Sequence, residues 1–229
     1  HVVWKPYSKY PQIDRYVGTK KLERLRDSIL VTMPMERHTK RIVRDVEVEY
    51  DLDLWKHTIR TRFNYEENRP MKNAEELFRT LRKQINTHRS RIEELSLIHT
   101  EHPKLIVWYN YNYELDILRR YCDVNEILYS EWNGHFHQAV PQGDEWIYLV
   151  QYTSGSEGWN CTTTNAMMFY SQNYSYRVME QSMGRTDRLN TPFTNLYYYI
   201  LKSKAPIDLA ISRAVRTKKN FSKAAFVKK

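Results

Sequence analysis

The 229-residue chain lacks most of the features that staple, anchor or power a protein by themselves. It holds only two cysteines, Cys122 and Cys161, far apart and in no C-x-x-C pattern, so a disulfide framework is not expected and two free thiols in a reducing compartment are. No stretch approaches the ~20 apolar residues of a membrane span. The N-terminus, HVVWKPYSKY, is polar and aromatic and has no apolar signal core. The expectation is a cytoplasmic, intracellular protein with no membrane partner. The first residue is His rather than Met, which suits a fragment of a longer chain. No internal repeat and no low-complexity linker is present.

Several catalytic patterns are missing too. No G-x-x-x-x-G-K-[ST] phosphate loop occurs, and Gly18-Thr19-Lys20 is not one. No D-E-x-H follows an apolar strand; Asp144-Glu145 precedes its strand, the wrong side for holding magnesium. A nuclease or other metal enzyme needs a clustered carboxylate set, and none is evident. His135 and His137 beside Gly134 read as loop histidines, and no metal site is expected.

What is present is basic and rich in tyrosine. The formal net charge is +9, an excess of the kind that neutralises phosphates through counterion release. The stretch Arg213–Lys229 holds seven cations, Arg213, Arg216, Lys218, Lys219, Lys223, Lys228 and Lys229, and no acid. A solvated tail and a phosphate-tracking tail both fit it. The 18 tyrosines suit either a core with polar tips or stacking on bases.

Hydrophobic patterning divides the chain. Leu22, Leu25 and Ile29 recur at helical spacing, and 39–50 alternates apolar and charged residues like a half-buried strand. A long helix is predicted from Asn73, its cap, to Ile98. From residue 103, apolar runs (KLIVWYN, NEILYS, EWIYLVQY, AMMFYS, NLYYYIL) alternate with helical segments, the last opening at Pro206. That is the grammar of a doubly wound α/β domain, a parallel sheet with helices on both faces. We expect an extension over 1–100 and the α/β lobe over 101–229. In such sheets ligands bind beyond the strands' carboxyl ends, which points to 110–113, 152–160 and 184–192.

Two segments carry chemistry. The loop YTSGSEGWN after EWIYLVQY has small residues whose amides can face an anion, or it is a tight turn. The segment QSMGRTDRLN places Gln181, Gly184, Arg185 and Arg188 in Q-x-x-G-R-x-x-R. Two arginines beside a helix-ending glycine can aim planar, permanently charged forks at phosphate oxygens. The plainer alternative pairs them with carboxylates such as Asp187 or Glu180.

Together, SGSEGWNCTTTNAMMFYSQNYSYRVMEQSMGRTDRLN resembles motifs V and VI of superfamily-two helicases, and within them the Swi/Snf-type translocases and their viral relatives. Gly158 and Asn160 match the family's G-x-N, with Gly155-Ser156 where two glycines are common; KLIVWYNYNYELDILRR resembles motif IV. Residues 11–35 resemble the stretch that leaves the first lobe. The chain has little room for the family's helical insertions, which suits a compact, phage-type enzyme. The resemblance implies a C-terminal RecA-like motor lobe of an ATP-dependent helicase or translocase. ATP would sit in a cleft shared with an N-terminal RecA-like lobe in cis, and Mg²⁺ would be held mainly by that absent lobe. It implies arginine fingers at Arg185 and Arg188, with Gln181, Gly158 and Gly184 at the nucleotide. DNA is the expected partner, double-stranded by family likeness, with RNA left open. Asn110, Tyr111, Asn112, Thr153 and Ser154 are the candidates for holding its phosphates, on polar character and loop position. The alternative is a non-catalytic RecA-like module that binds nucleic acid.

Without a phosphate loop the isolated chain should not turn over ATP, with or without DNA. A steady-state phosphate-release assay checks this; turnover by the pure chain that is lost in Arg185→Ala would overturn it.

Overall fold

The computed structural model describes residues 2–3, 12–13, 18–29, 37–155, 158–218 and 221, and the chain divides into a unit over 1–37 and a larger one over 38–229. In the first unit β1 (Val2–Val3) pairs antiparallel with β2 (Gln12–Ile13), and the helix expected near Lys20 is α1 (Thr19–Ile29). The tail beyond Lys218, apart from Phe221, lies outside the described residues, as does part of the 11–35 stretch.

The larger unit opens with β3 (Lys40–Val48), α2 (Leu52–Thr61), the hairpin β4 (Phe63–Asn64) and β5 (Arg69–Pro70), α3 (Ala74–Asn86) and α4 (Ser90–Glu101). There follow β6 (Lys104–Tyr109), α5 (Asn112–Val124), β7 (Tyr129–Trp132), β8 (Trp146–Gln151) and the single turn α6 (Tyr152–Gly155). The chain closes with β9 (Ala166–Phe169), α7 (Tyr176–Met183), β10 (Asn195–Ser203) and α8 (Pro206–Arg216), Pro206 standing in the first turn as expected. Six strands form one parallel sheet in the order β3-β10-β9-β6-β8-β7. No helix among the described residues is long and apolar enough to cross a membrane.

Alternation along the strands sorts side chains to two faces. Leu105, Val107, Ile147, Leu149 and Met168 face α4 and α5, against Leu95, Ile98, Leu115 and Leu118. Ile106, Trp108, Tyr148, Val150, Phe169 and Tyr198 face the side of α7, with Met179, Met183 and Trp159. A third cluster joins Leu77, Phe78, Leu81 and Ile85 of α3 to Ile207 and Ile211 of α8.

Two expectations are corrected here. The strand at 39–50 is not part of a separate extension ending at residue 100: it pairs with β10 over nine residue pairs and forms the sheet's edge. The long helix from Asn73 to Ile98 is two helices broken at 87–89. The break has an electrostatic use. On one straight helix Arg82 and Arg91, nine residues apart, would face opposite sides. Instead both reach Asp208: Arg82 pairs with Oδ1, and Arg91 NH2 donates to Oδ2 at 3.0 Å. Arg91 Nε also donates to the Ile85 carbonyl, an end-of-helix acceptor, at 3.1 Å. Ser203 adds its amide and hydroxyl to Oδ2, each at 2.9 Å. Arg91 also donates to the Tyr170 carbonyl, and Arg82 to that of Gln172 at 3.0 Å. The group therefore ties α3 and α4 to the carboxyl ends of β9 and β10.

Other carboxylates fix local pieces. Asn73 caps α3 as expected, accepting from the Glu76 amide at 2.9 Å. Glu76 in turn accepts from Asn64 (2.9 Å), Arg69 (3.1 Å) and the Lys72 amide (2.7 Å), pinning the hairpin to the helix. Arg69 first, then Asn64 and Lys72, hold its carboxyl at about 2.

Burial raises the Asp208 pKa, but Arg82 and Arg91 more than offset it, so the carboxyl titrates below its ordinary value. A folded value below the unfolded one stabilises the protein above about pH 4, and that stabilisation is lost as pH falls through the folded value. Asp208→Asn should therefore cost about 3–5 kcal/mol at neutral pH by stranding two buried guanidinium groups. Urea titrations of both proteins should show the gap narrowing below about pH 4; a pH-independent gap would contradict this.

Candidate functional site

The sheet presents two rims. At the carboxyl rim, Tyr109 pairs with Gln151, so the loops after β6 and β8 leave from neighbouring points. Asn112 and Thr153 are exposed there, and Tyr111 and Ser154 are half-buried. The five expected nucleic-acid contacts are thus brought to one rim, but not equally free. The Asn110 amide group donates to Ser171 Oγ (2.8 Å) and the Gln172 carbonyl (3.2 Å), while its Oδ1 accepts from Asn173 at 2.9 Å. That side chain clips the end of β9 and has little bonding capacity left for a phosphate. The Tyr111 hydroxyl pairs with that of Tyr174, and its ring stacks on Tyr113 at 5.2 Å. Burial, then Tyr174, raises its pKa well beyond the usual phenol range, so it stays neutral. Asn112, Thr153 and Ser154 are the polar side chains left to face a ligand.

Beneath this rim, Glu114 accepts from the Asn110 amide (2.8 Å), Asn86 (2.6 Å) and Ser171 (3.0 Å). Complete burial raises its pKa despite these donors. It holds the loop after β6 in place and has no access to solvent.

Among its described residues the connection from β8 to β9 contains only the single turn α6, and it crosses the sheet. Gly155 lies so close to β6 and β8 that a Cβ there would come within 2.1 Å of Val150 Cγ1 and 3.1 Å of the Trp108 ring. Trp159 stacks on Trp108 at 5.8 Å and donates its Nε1 to the Gly155 carbonyl at 2.7 Å. Gly158 has φ +89°, a backbone state that side chains disfavour, with open space around it. The glycines after β8 were legible in the sequence; the close approach of Val150 and Trp108 that makes Gly155 obligatory was not.

This crossover delivers Trp159–Cys161 to the Q-x-x-G-R-x-x-R segment. The Cys161 amide donates to the Arg185 carbonyl, and Arg185 NH1 donates to the Trp159 carbonyl, each at 3.0 Å. Ser175 caps α7 with its side chain (3.4 Å to the Val178 amide), and Gly184 ends it in a right-handed conformation that any residue adopts. A Cβ on Gly184 would sit 3.3 Å from the Gln181 carbonyl, which is tight but not excluded. Gln181, Arg185 and Arg188 are all half-buried.

Segment 184–192 is not at the carboxyl rim, contrary to the sequence-based expectation. A crossover helix runs antiparallel to its strands, so α7 returns the chain to the amino rim, where β10 begins. Six-residue strands separate the two rims by about 20 Å.

At the amino rim the start of β3 grips this segment. Arg41 donates to Asp187 at 2.7 Å and to Glu180 at 3.0 Å, and Thr39 donates to Asp187 at 2.7 Å. His38 Nε2 bonds the Thr191 carbonyl at 2.9 Å, and the Lys40 amide donates to the Thr194 carbonyl at 2.6 Å. The carboxylates nearest Arg188 in sequence are therefore held by Arg41. Among the described residues Arg188 has no ion-pair partner, and its buried Nε makes no hydrogen bond. Sequence reasoning missed Arg41, because its partners lie roughly 140 residues away. No group of three His, Cys, Asp or Glu among the described residues is placed to hold a metal.

No family profile matches this sequence, and no curated protein sequence does. Among solved structures, the fold is similar to the crystal structure of the C-terminal part of the Fun30 ATPase domain. The TM-score is 0.51 at 15% identity, over 74% of this chain and 55% of that one. The chain thus spans about half of that structure's length, and the likeness is one of fold: a RecA-like α/β sheet with helices on both faces.

Arg41→Ala should destabilise the protein by roughly 2–3 kcal/mol, less than a fully buried pair because Thr39 still donates to Asp187. Amide exchange over 186–191 should accelerate more than over β6. Uniform acceleration, or none, would refute a local clamp.

Proposed function

We propose that the chain is the C-terminal motor lobe of an ATP-dependent helicase or translocase, with double-stranded DNA as the favoured track. One observation carries this reading. The Q-x-x-G-R-x-x-R segment is fastened to the amino rim of a RecA-like sheet, yet Arg188 keeps a guanidinium that no carboxylate among the described residues neutralises. A half-buried cation held in a fixed loop without a counter-charge is costly, and an anionic ligand relieves that cost.

The ligand that fits is a nucleotide phosphate, placed between this lobe and an N-terminal RecA-like lobe in cis. Planar guanidinium groups suit phosphate oxygens, whereas no carboxylate cluster among the described residues suits Mg²⁺, which the other lobe would hold. Bound ATP supplies the phosphoanhydride to be broken. Arg188 and Arg185 lie against the oxygens that gain charge during transfer. Gln181 and the backbone at Gly158 approach the nucleotide, and Gly184 keeps the turn before the arginines slim. Asn112, Thr153 and Ser154 at the opposite rim meet phosphates of the track.

In the complete protein, Arg188→Ala should lower kcat for ATP by about 10³-fold or more while KM for ATP changes far less. The melting temperature of the present chain should move by no more than about 2 °C, since the side chain has no ion-pair partner among the described residues to abandon. Turnover left intact alongside a large melting shift would overturn the assignment.

A further inference from the structure

The loop that leaves β7 carries Gly134, His135, Phe136 and His137, all exposed. Phe136 is 50% exposed and belongs to none of the three apolar clusters. A lone exposed phenylalanine is ordinary. The backbone beneath this one is not.

Asn133, only 4% exposed, accepts from the amides of His135 and Phe136 at 2.9 Å each, and its own amide donates to the Phe136 carbonyl at 2.7 Å. Its Nδ2 donates to Glu131 at 2.8 Å, and buried Glu131 takes both Nε and NH2 of Arg119 at 2.6 and 2.7 Å. Gln138 closes the turn, donating its amide to the Glu131 carbonyl (3.0 Å) and accepting from the Glu131 amide (2.7 Å). The His137 ring stacks on Trp132 at 4.6 Å, and Trp132 Nε1 donates to the Ser154 carbonyl at 3.0 Å. A chain of half-buried Arg119 and buried Glu131 and Asn133 thus fixes one conformation of a turn whose product is an aromatic ring standing in water.

The surroundings select a partner. Gly134, His135 and His137 offer polar edges, so the ring is not the centre of an apolar patch of the size protein partners need. A nucleobase, flat and apolar on its face and polar at its rim, matches it. The position agrees. Trp132 pairs with Val150, so this turn stands one strand spacing from Thr153 and Ser154, and about 10 Å from the loop after β6. Pre-organisation lowers the entropic cost of stacking.

We propose that Phe136 is a stacking platform for an unpaired base of the strand whose phosphates run past Thr153 and Ser154. The inference rests on the nucleic-acid reading given under Proposed function, with a single strand in place of the favoured duplex as the track. It extends the track past the polar loops to the outer strand of the sheet.

The test uses the 229-residue chain and an aminopurine-labelled oligothymidylate of about 16 nucleotides, titrated at low salt. Aminopurine fluorescence should be quenched on binding. Phe136→Ala and Phe136→Leu should each weaken binding by about fivefold to 100-fold and abolish the quench, whereas Phe136→Tyr should keep both. Melting temperatures of the variants should match the parent, because the ring packs in no core. Equal binding by the parent and Phe136→Ala would overturn the platform, as would parent binding to duplex alone. A parent chain that binds neither single-stranded nor duplex DNA would remove the nucleic-acid reading and this inference together.

Discussion

Asp208 is a carboxylate nearly cut off from water that answers two guanidinium groups, and the carboxyl rim of the sheet is organised around it. Desolvating three charges is expensive, so the arrangement persists only because each acceptor position is used. Arg82 and Arg91 also donate to backbone carbonyls at 85, 170 and 172, and only the buried Arg82 Nε is left without a hydrogen bond. Those carbonyls belong to the end of α3 and to the chain leaving β9. The loop after β6 leans on the same place through Asn110, and α8 begins there. The third apolar cluster, between α3 and α8, is thereby joined to the sheet through a polar group as well as through Val215, which packs against the second cluster too.

The two rims divide labour that the sequence presents as continuous. Residues 152–192 read as one run of motifs, yet they begin at the carboxyl rim and end at the amino rim. The crossover between β8 and β9 links them mechanically. It is pressed onto Trp108 at Gly155 and bonded to Arg185 at its far end.

Legibility followed the range of the interaction. The buried strands β6, β8, β9 and β10 could be found because unbroken apolar runs are what a sheet covered on both faces demands. Pro206 and Asn73 marked helix starts through purely local chemistry. The break between α3 and α4 could not be found, since its cause, Asp208, lies more than a hundred residues downstream. The same distance hid Arg41, whose charge in an alternating strand looks like ordinary solvation. The arginines of the Q-x-x-G-R-x-x-R segment were legible as a pattern, but not their rim. The rule about carboxyl ends concerns loops that follow strands, and this one follows a helix.

The pairing of β3 with β10 couples the earliest strand of the sheet to the last one in the chain, Lys40 lying opposite Asn195. Parallel partners so far apart close a very long loop, which slows their association and leaves the first strand waiting while the rest of the sheet assembles. On a ribosome, β3 emerges long before its neighbour β10 exists, carrying Val46 and Val48 without a surface to cover them. Because β10 is also, among the described strands, its one link to the other four, a polypeptide ending before Asn195 would forfeit two strands of the sheet, not one.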